Sequence, residues 1–421
     1  MKTQLTKLPG GLRVATCEMP HVETAAVGIW AGVGGRHESA RLNGISHFIE
    51  HMLFKGTPRR SARRIMEEVE GVGGDMNAYT AEERTCYYAA SAAEFFPRIC
   101  DVLADIYINP KFTLPDIERE RGVIGEEILM YRDEPSSHVQ EMLNMAYWPN
   151  HPLGRSLTGS LETIEGFKRD DFIDYRESHY HTGSTVFTAA GNIKHEDVVE
   201  RAAKLFENLP KGRKPKFAKA EAMPKKGRVV VEQRDTQQTQ FAMGLPGPSS
   251  HDPRRHALHI LHVILGGNAS SRLFQQLREK RGLCYSVSTH PLHFEDTGML
   301  NVSLGLDQKN VEKSLDLIFS EFENVKTKPV RPAELKRAKE YAVGTSRMAL
   351  ERTSSQNMRL GGSVLVYGNI IDPEEIHNEL RKVTAEDIQA VASDFLDPKK
   401  ATAAVIGPSP DAKTISHILG H

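Results

Sequence analysis

The chain has 421 residues, 54 basic against 55 acidic side chains, and a formal net charge of −1. That length admits two or more domains with cores of their own, and the balanced charge supplies no global field for nucleic acid or an anionic membrane. Its four cysteines, Cys17, Cys86, Cys100 and Cys284, include no C-x-x-C pair, which argues against a thiolate metal site or a disulfide framework and fits a reducing compartment.

The N-terminal twenty residues lack the apolar core of a signal peptide, and Pro9-Gly10-Gly11 would interrupt one. Nowhere do about 18 apolar residues run together, so no spanning helix is expected and the reading is a cytoplasmic protein. Thr24 to Val33 is a short β-rich run. The next segment, NGISHFIEHMLFKGT from Asn43 to Thr57, carries two histidines and a glutamate in an apolar stretch. On a helical wheel Ile45, Phe48, Ile49, Met52 and Leu53 gather on one side, whereas His47, Glu50 and His51 fall on the other. Asn43 is the expected N-cap, with Gly56 and Thr57 as the stop. Histidines at i and i+4 stand one turn apart, close enough to share a metal ion, and Glu50 lies beside them. A solvated face that happens to carry His and Glu has the same spacing.

SARRIMEEVEGVGG, from Ser61, shows helical spacing at Ile65, Met66 and Val69 and stops at glycines, and Arg84 to Ser91 is again β-rich. Leu114 to Pro135 reads as a helix with Ile117, Ile124 and Ile128 on one face. Glu120 and Glu127 lie on or beside that stripe, unlike Glu118 and Glu126. A carboxylate against a core face costs several kcal/mol unless it is paired or metal-bound, so a buried arginine pair and ligation both satisfy the pattern. Asp133, Glu134 and Glu141 form either an acidic lining for arginine-bearing peptides or a solvated face.

Residues 211–227 have the basic, Pro- and Lys-rich composition of a linker and divide the chain almost in half. Tyr87–Glu127 and Leu300–Gly344 share one order: strand, helix, Pro-containing turn, second charged helix. A duplicated domain is the economical reading, and the alternation of strands and helices places it in the α+β or mixed α/β class. Under that duplication His256–Gly267 is the counterpart of the histidine helix, with His262 at the place of His51, Leu258 at that of His47 and Leu261 at that of Glu50. His256, His259 and His262 have no nearby carboxylate to complete a second metal site.

His47-x-x-Glu50-His51, followed 76 residues later by Glu127 with Glu120 one heptad before it, resembles the inverted zinc motif of the pitrilysin and insulinase metallopeptidases. LPGGLRV near the start, GGDMNAYTAEERTCYY after the histidine helix and ASSRLFQQLREKRGLCYSVS in the second half resemble the branch containing the mitochondrial processing peptidases and their bacterial relatives. The likeness runs over essentially the whole chain. It implies an α+β fold of two tandem homologous domains, each a mainly antiparallel sheet packed with helices: residues 1–215 catalytic, 216–227 a linker, 228–421 without metal and binding substrate.

The resemblance further implies a zinc endopeptidase with one Zn2+ per chain held by His47, His51 and Glu127. Glu50 would be the general base and Glu120 a carboxylate orienting a ligand histidine. It implies an extended peptide substrate laid along Asn77, Ala78 and Tyr79 as an added strand. Arg278 and Tyr285 would reach the substrate from the second domain. Arg278 continues a helix begun near Ser270, Gly282 ends it and Tyr285 starts a strand, so the two side chains can converge. A chain with two such domains suggests a clam-like homodimer, or a heterodimer with a paralogous chain, acting on peptides or presequence-like segments with no nucleic acid or membrane partner. The rival readings are a catalytically silent subunit and a metal hydrolase of non-peptide substrates.

Overall fold

A computed structural model describes residues 1–220 and 227–420, which form two compact units. The first unit is built on a six-stranded sheet. Its strands are β1 (Lys2–Lys7), β2 (Arg13–Glu18), β3 (Thr24–Ala31), β4 (Asp75–Thr80), β5 (Thr85–Ala92) and β6 (Thr185–Gly191), in the spatial order β1-β2-β6-β3-β5-β4. Only β2 and β6 pair parallel; the other neighbours are antiparallel. The interior strands are rich in small and β-branched residues because both faces are covered, and β6 is buried at every position. Along β3 the pleat sends Val27 and Ile29 to one face and Trp30 to the other.

The Val27 face packs against the helices of the first half: α1 (Ile45–Leu53), α2 (Ala62–Glu70), α3 (Phe96–Ile108) and the N-terminal part of α4 (Leu114–Asp133). Ser61 caps α2, accepting from Arg64 N at 3.2 Å. Ile65 and Val69 are buried as expected, but Met66 points outward. The Trp30 face is covered by a helix from the far end of the sequence, Thr353–Tyr367, through Leu360, Val364 and Leu365. Gly361 permits that approach, since a Cβ there would stand 1.9 Å from the Trp30 ring. Arg13 Nη1 donates to Val364 O at 3.1 Å across the same contact.

The second unit contains β7 (Val229–Gln233), β8 (Thr239–Gly247), β9 (Cys284–His293), β10 (Gly298–Leu306) and β11 (Thr402–Gly407), in the order β7-β11-β8-β10-β9. This is the winding of β2 to β6 repeated strand for strand, with β7 and β11 the parallel pair. Helix Arg255–Leu265 lies between β8 and β9 in sequence, as α1 lies between β3 and β4, so the duplication read from the sequence is present in the topology. One face of this sheet packs on Leu258, Leu261 and Leu265. The other is covered by α5 (Pro135–Tyr147), whose Val139, Leu143 and Tyr147 meet Ala242, Met299 and Ile406.

The units therefore differ from the contiguous division at 216–227. Residues 130–154 belong to the second unit and 347–371 to the first, because each sheet leaves one apolar face that a helix from the other half of the chain buries. Within the expected linker, residues 221–226 lie outside the described residues. Upstream of them Phe217 stacks under the buried Arg36 guanidinium at 4.0 Å, and Ala218 O accepts from Arg36 Nη2 at 2.9 Å. Among the described residues no helix is long and apolar enough to cross a membrane.

Candidate metal centre

Helix α1 begins one residue later than the sequence suggested. Its N-cap is Gly44, at φ 95°, where a Cβ would meet Thr158 O at 2.6 Å; glycine alone fits that left-handed, crowded position. Asn43 instead donates its Nδ2 to Glu38 Oε2 and to Ser156 O. The free N–H groups at the helix start are satisfied by Glu38. Its Oε2 accepts from Gly44 N at 2.7 Å and its Oε1 from Ser46 N at 2.9 Å. Burial raises the Glu38 carboxyl above its ordinary range, and these bonds oppose the rise. A carboxylate at this helix end also complements the dipole.

With Ile45, Phe48, Ile49, Met52 and Leu53 locked in the core, α1 presents His47, Glu50 and His51 together on its other side. Helix α4 supplies the facing carboxylates. Its Ile117, Glu120 and Ile124 are buried, whereas Glu118 and Glu126 are exposed. His47 Nε2 lies 3.7 Å from Glu127 Oε1 and His51 Nε2 lies 3.5 Å from Glu127 Oε2. Each of these three residues offers a ligand atom within 4.8 Å of the other two. Both distances exceed a good hydrogen bond. They match the roughly 3.3–3.4 Å that separates neighbouring ligand atoms of a tetrahedral zinc with bonds of ~2.0–2.1 Å. Two imidazoles and one carboxylate are also a zinc donor set, so the residues present fit the metal.

Glu120 is the anchor behind the set. Only 2 % of its side chain is exposed; its Oε2 accepts from His51 Nδ1 at 3.2 Å and its Oε1 from Lys55 Nζ at 2.6 Å. Burial works against this carboxylate, but the two donors win and hold it below its ordinary range. Donation from Nδ1 fixes the tautomer that leaves His51 Nε2 free for a cation. Burial, then the charge of His51, drives the His47 imidazole to its neutral form. At His51 burial pushes the same way, but Glu120 and Glu127 overcome it and raise the ring. The paired carboxylates thus favour a positive charge at this point.

Glu50 does not join the three-residue set. Its Oε2 accepts from Thr80 Oγ1 at 2.5 Å, and burial raises its carboxyl against the opposing pull of Thr80 and His51. A carboxyl of raised pKa beside three residues that could hold a metal is an arrangement suited to proton transfer from water. Sequence reasoning did not single out Glu38, Lys55 or Thr80. Lys55 was discoverable, being four residues after His51.

Asn77, Ala78 and Tyr79 lie on β4, which is an edge of the first sheet. Their pairing with Tyr88, Tyr87 and Cys86 occupies one side of the strand only. The Ala78 N–H is taken up by Asn77 Oδ1 at 2.8 Å. In the second unit the chain is helical from Arg272 and widens to a π-helical turn over Phe274–Glu279. Gly282, at φ 59°, then turns the chain into β9. Arg278 and Tyr285 do converge: the guanidinium carbon stands 5.6 Å from the centre of the Tyr285 ring, which is 71 % exposed. His256, His259 and His262 form no metal-holding group among the described residues. His262 Nδ1 bonds Thr289 Oγ1 at 2.8 Å.

A helix carrying His-x-x-Glu-His, completed by a glutamate from a second helix on a duplicated α+β fold, defines a metallopeptidase of the inverted-motif class. Comparison with known proteins agrees. Residues 13–160 match the family model described as "Insulinase (Peptidase family M16)" and residues 166–341 that of the "Peptidase M16 inactive domain". An uncharacterised zinc protease of Mycobacterium tuberculosis is 37 % identical over 423 residues, covering 98 % of this chain and 95 % of that protein. The uncharacterised zinc protease YmxG of Bacillus subtilis is 35 % identical over 400 residues, 95 % and 97 % of the two chains. Among solved structures, a protease from Helicobacter pylori superposes with a TM-score of 0.90 at 20 % identity, covering 97 % of this chain and 99 % of that one. A chain of complex III2 from Candida albicans gives 0.85 at 18 %, with 99 % of each covered. At such identities the structural likeness speaks for the fold alone. The chain belongs to peptidase family M16, the insulinase family, and is a metalloprotease.

Proposed function

We propose that the chain is a zinc endopeptidase that hydrolyses extended peptides or presequence-like segments. The observation that supports it most strongly is the triad of His47, His51 and Glu127, at close to the spacing of ligand atoms around a tetrahedral ion, beside a half-buried Glu50 that is not part of it. Bound there, zinc supplies a Lewis acid that acidifies a water molecule and polarises the scissile carbonyl. His47 and His51 would hold it as neutral ligands, Glu127 would add one negative charge, and Glu120 would keep the His51 ring in the required tautomer. Glu50 accepts the proton of the attacking water and returns a proton to the departing nitrogen as the C–N bond breaks.

The edge of β4 receives the peptide as an added strand along Asn77, Ala78 and Tyr79, so binding tolerates many sequences but demands an unfolded segment. Arg278 and Tyr285 bind the substrate, the guanidinium on the peptide main chain and the phenol on the developing oxyanion. The working form is a homodimer with one zinc per chain enclosing a chamber. The test is mass spectrometry of a mixed peptide library incubated with the protein as purified, after chelation, and after zinc is restored. Internal cleavage that stops on chelation and returns with zinc supports the reading; cleavage indifferent to chelator overturns it. Sedimentation of the active protein distinguishes a homodimer from a monomer or from a chain that needs a second gene product.

A further inference from the structure

We propose that Thr80 is the positioning residue of the Glu50 carboxylate, tying the base to the strand that receives the peptide. The inference rests on the reading of Glu50 as base. Glu50 sits on the polar side of α1, off the apolar stripe that locks the helix into the core. Among the described residues one hydrogen bond restrains its carboxylate: Thr80 Oγ1 donates to Oε2 at 2.5 Å. Oε1 makes no hydrogen bond to protein among the described residues, so one oxygen is held while the other stays open to accept a proton. Thr80 itself is well anchored. It is the last residue of β4, paired with Thr85 of β5, whose Oγ1 donates in turn to Val33 O at 2.9 Å. A β-branched residue in a strand has few rotamers, so a threonine hydroxyl loses little freedom on bonding.

Thr80 stands one residue beyond Asn77, Ala78 and Tyr79 on the same edge strand. A shift of β4 would therefore carry the carboxylate with it, and base and peptide keep a common reference. A restraint of this kind acts on the chemical step, where misplacement by about 1 Å costs up to ~10²-fold, rather than on peptide affinity.

The test compares Thr80→Val and Thr80→Ala, which lose the hydroxyl, with Thr80→Ser, which keeps it. The expected result is a fall in kcat of about 10–100-fold for the valine and alanine variants with KM within about twofold of wild type, and near-complete recovery in the serine variant. Zinc content stays at the wild-type level in all three. Crystal structures of the metal-free valine variant should show the Glu50 carboxylate displaced from its wild-type position, and those of the serine variant should show it in place. Wild-type kcat in the valine variant, a rise in KM without loss of kcat, or a serine variant as slow as the valine one overturns the assignment. Failure of the underlying reading looks different: Glu50→Gln would then retain turnover.

Discussion

Replacing Glu38 by glutamine changes one oxygen for an amide nitrogen and leaves the shape intact. The carboxylate spends Oε2 on Gly44 N and Asn43 Nδ2 and Oε1 on Ser46 N. Glutamine has a single acceptor oxygen, so in its better orientation the amide nitrogen faces the Ser46 N–H. One charge-assisted bond worth about 1.5–3 kcal/mol disappears and one buried donor is stranded at about 1–3 kcal/mol. Relief of the buried charge, which the raised carboxyl of Glu38 reflects, returns part of this. A net loss of about 2–4 kcal/mol remains, and at ~2–4 °C per kcal/mol for a unit of this size Tm should fall by roughly 5–15 °C. Differential scanning calorimetry of the metal-free protein measures it. Glu118→Gln, on an exposed face of α4, is the control and should stay within about 0.5 kcal/mol of wild type. If both variants melt at the same temperature, Glu38 does not cap α1 and the account of how the histidine helix is oriented is wrong.

Glu120→Gln keeps the bond geometry but removes the charge behind His51, and should weaken zinc affinity by ~10–100-fold in competition with a chromophoric chelator; unchanged affinity would detach Glu120 from the metal. His262 is pushed down to about 4 by burial and by neighbouring His259 and His290. With an ordinary value near 6.5 when unfolded, its contribution to stability is complete above ~6.5 and is lost as pH falls through the folded value of about 4. His262→Asn, which keeps a donor for Thr289, should therefore lose less Tm than wild type between those pH values, and parallel curves would contradict the shift. Tyr285→Phe should lower kcat by ~10²–10³-fold with zinc retained, and Arg278→Ala should raise KM as well. Wild-type kcat/KM in both would leave the second unit no part in the reaction.

Local pattern carried much of the site. The core stripe of α1 forces His47, Glu50 and His51 to the opposite side, and the isoleucine stripe of α4 draws Glu120 inward, so helical periodicity was enough to single out both groups, while the resemblance brought the two helices together. The resemblance, not the spacing, chose ligation over a buried ion pair for Glu127. What stayed hidden depends on distance along the chain. Asn43 has the chemistry of an N-cap, yet Gly44 takes the position because Thr158 and Gly159 crowd it. Glu38 caps from beyond the reach of the usual capping box, and Thr80 arrives from another strand. The exchanged helices 135–147 and 353–367 were illegible for the same reason. Their apolar stripes announce burial but do not say which sheet they cover.

The most direct measurement places Glu50→Gln and Glu127→Gln side by side, with zinc per chain by elemental analysis and turnover on one unstructured peptide. The account predicts that Glu50→Gln retains its zinc and loses turnover, because an amide can neither accept nor return the proton, whereas Glu127→Gln loses the metal itself. Full turnover in a zinc-loaded Glu50→Gln protein, or wild-type zinc affinity in Glu127→Gln, would contradict it.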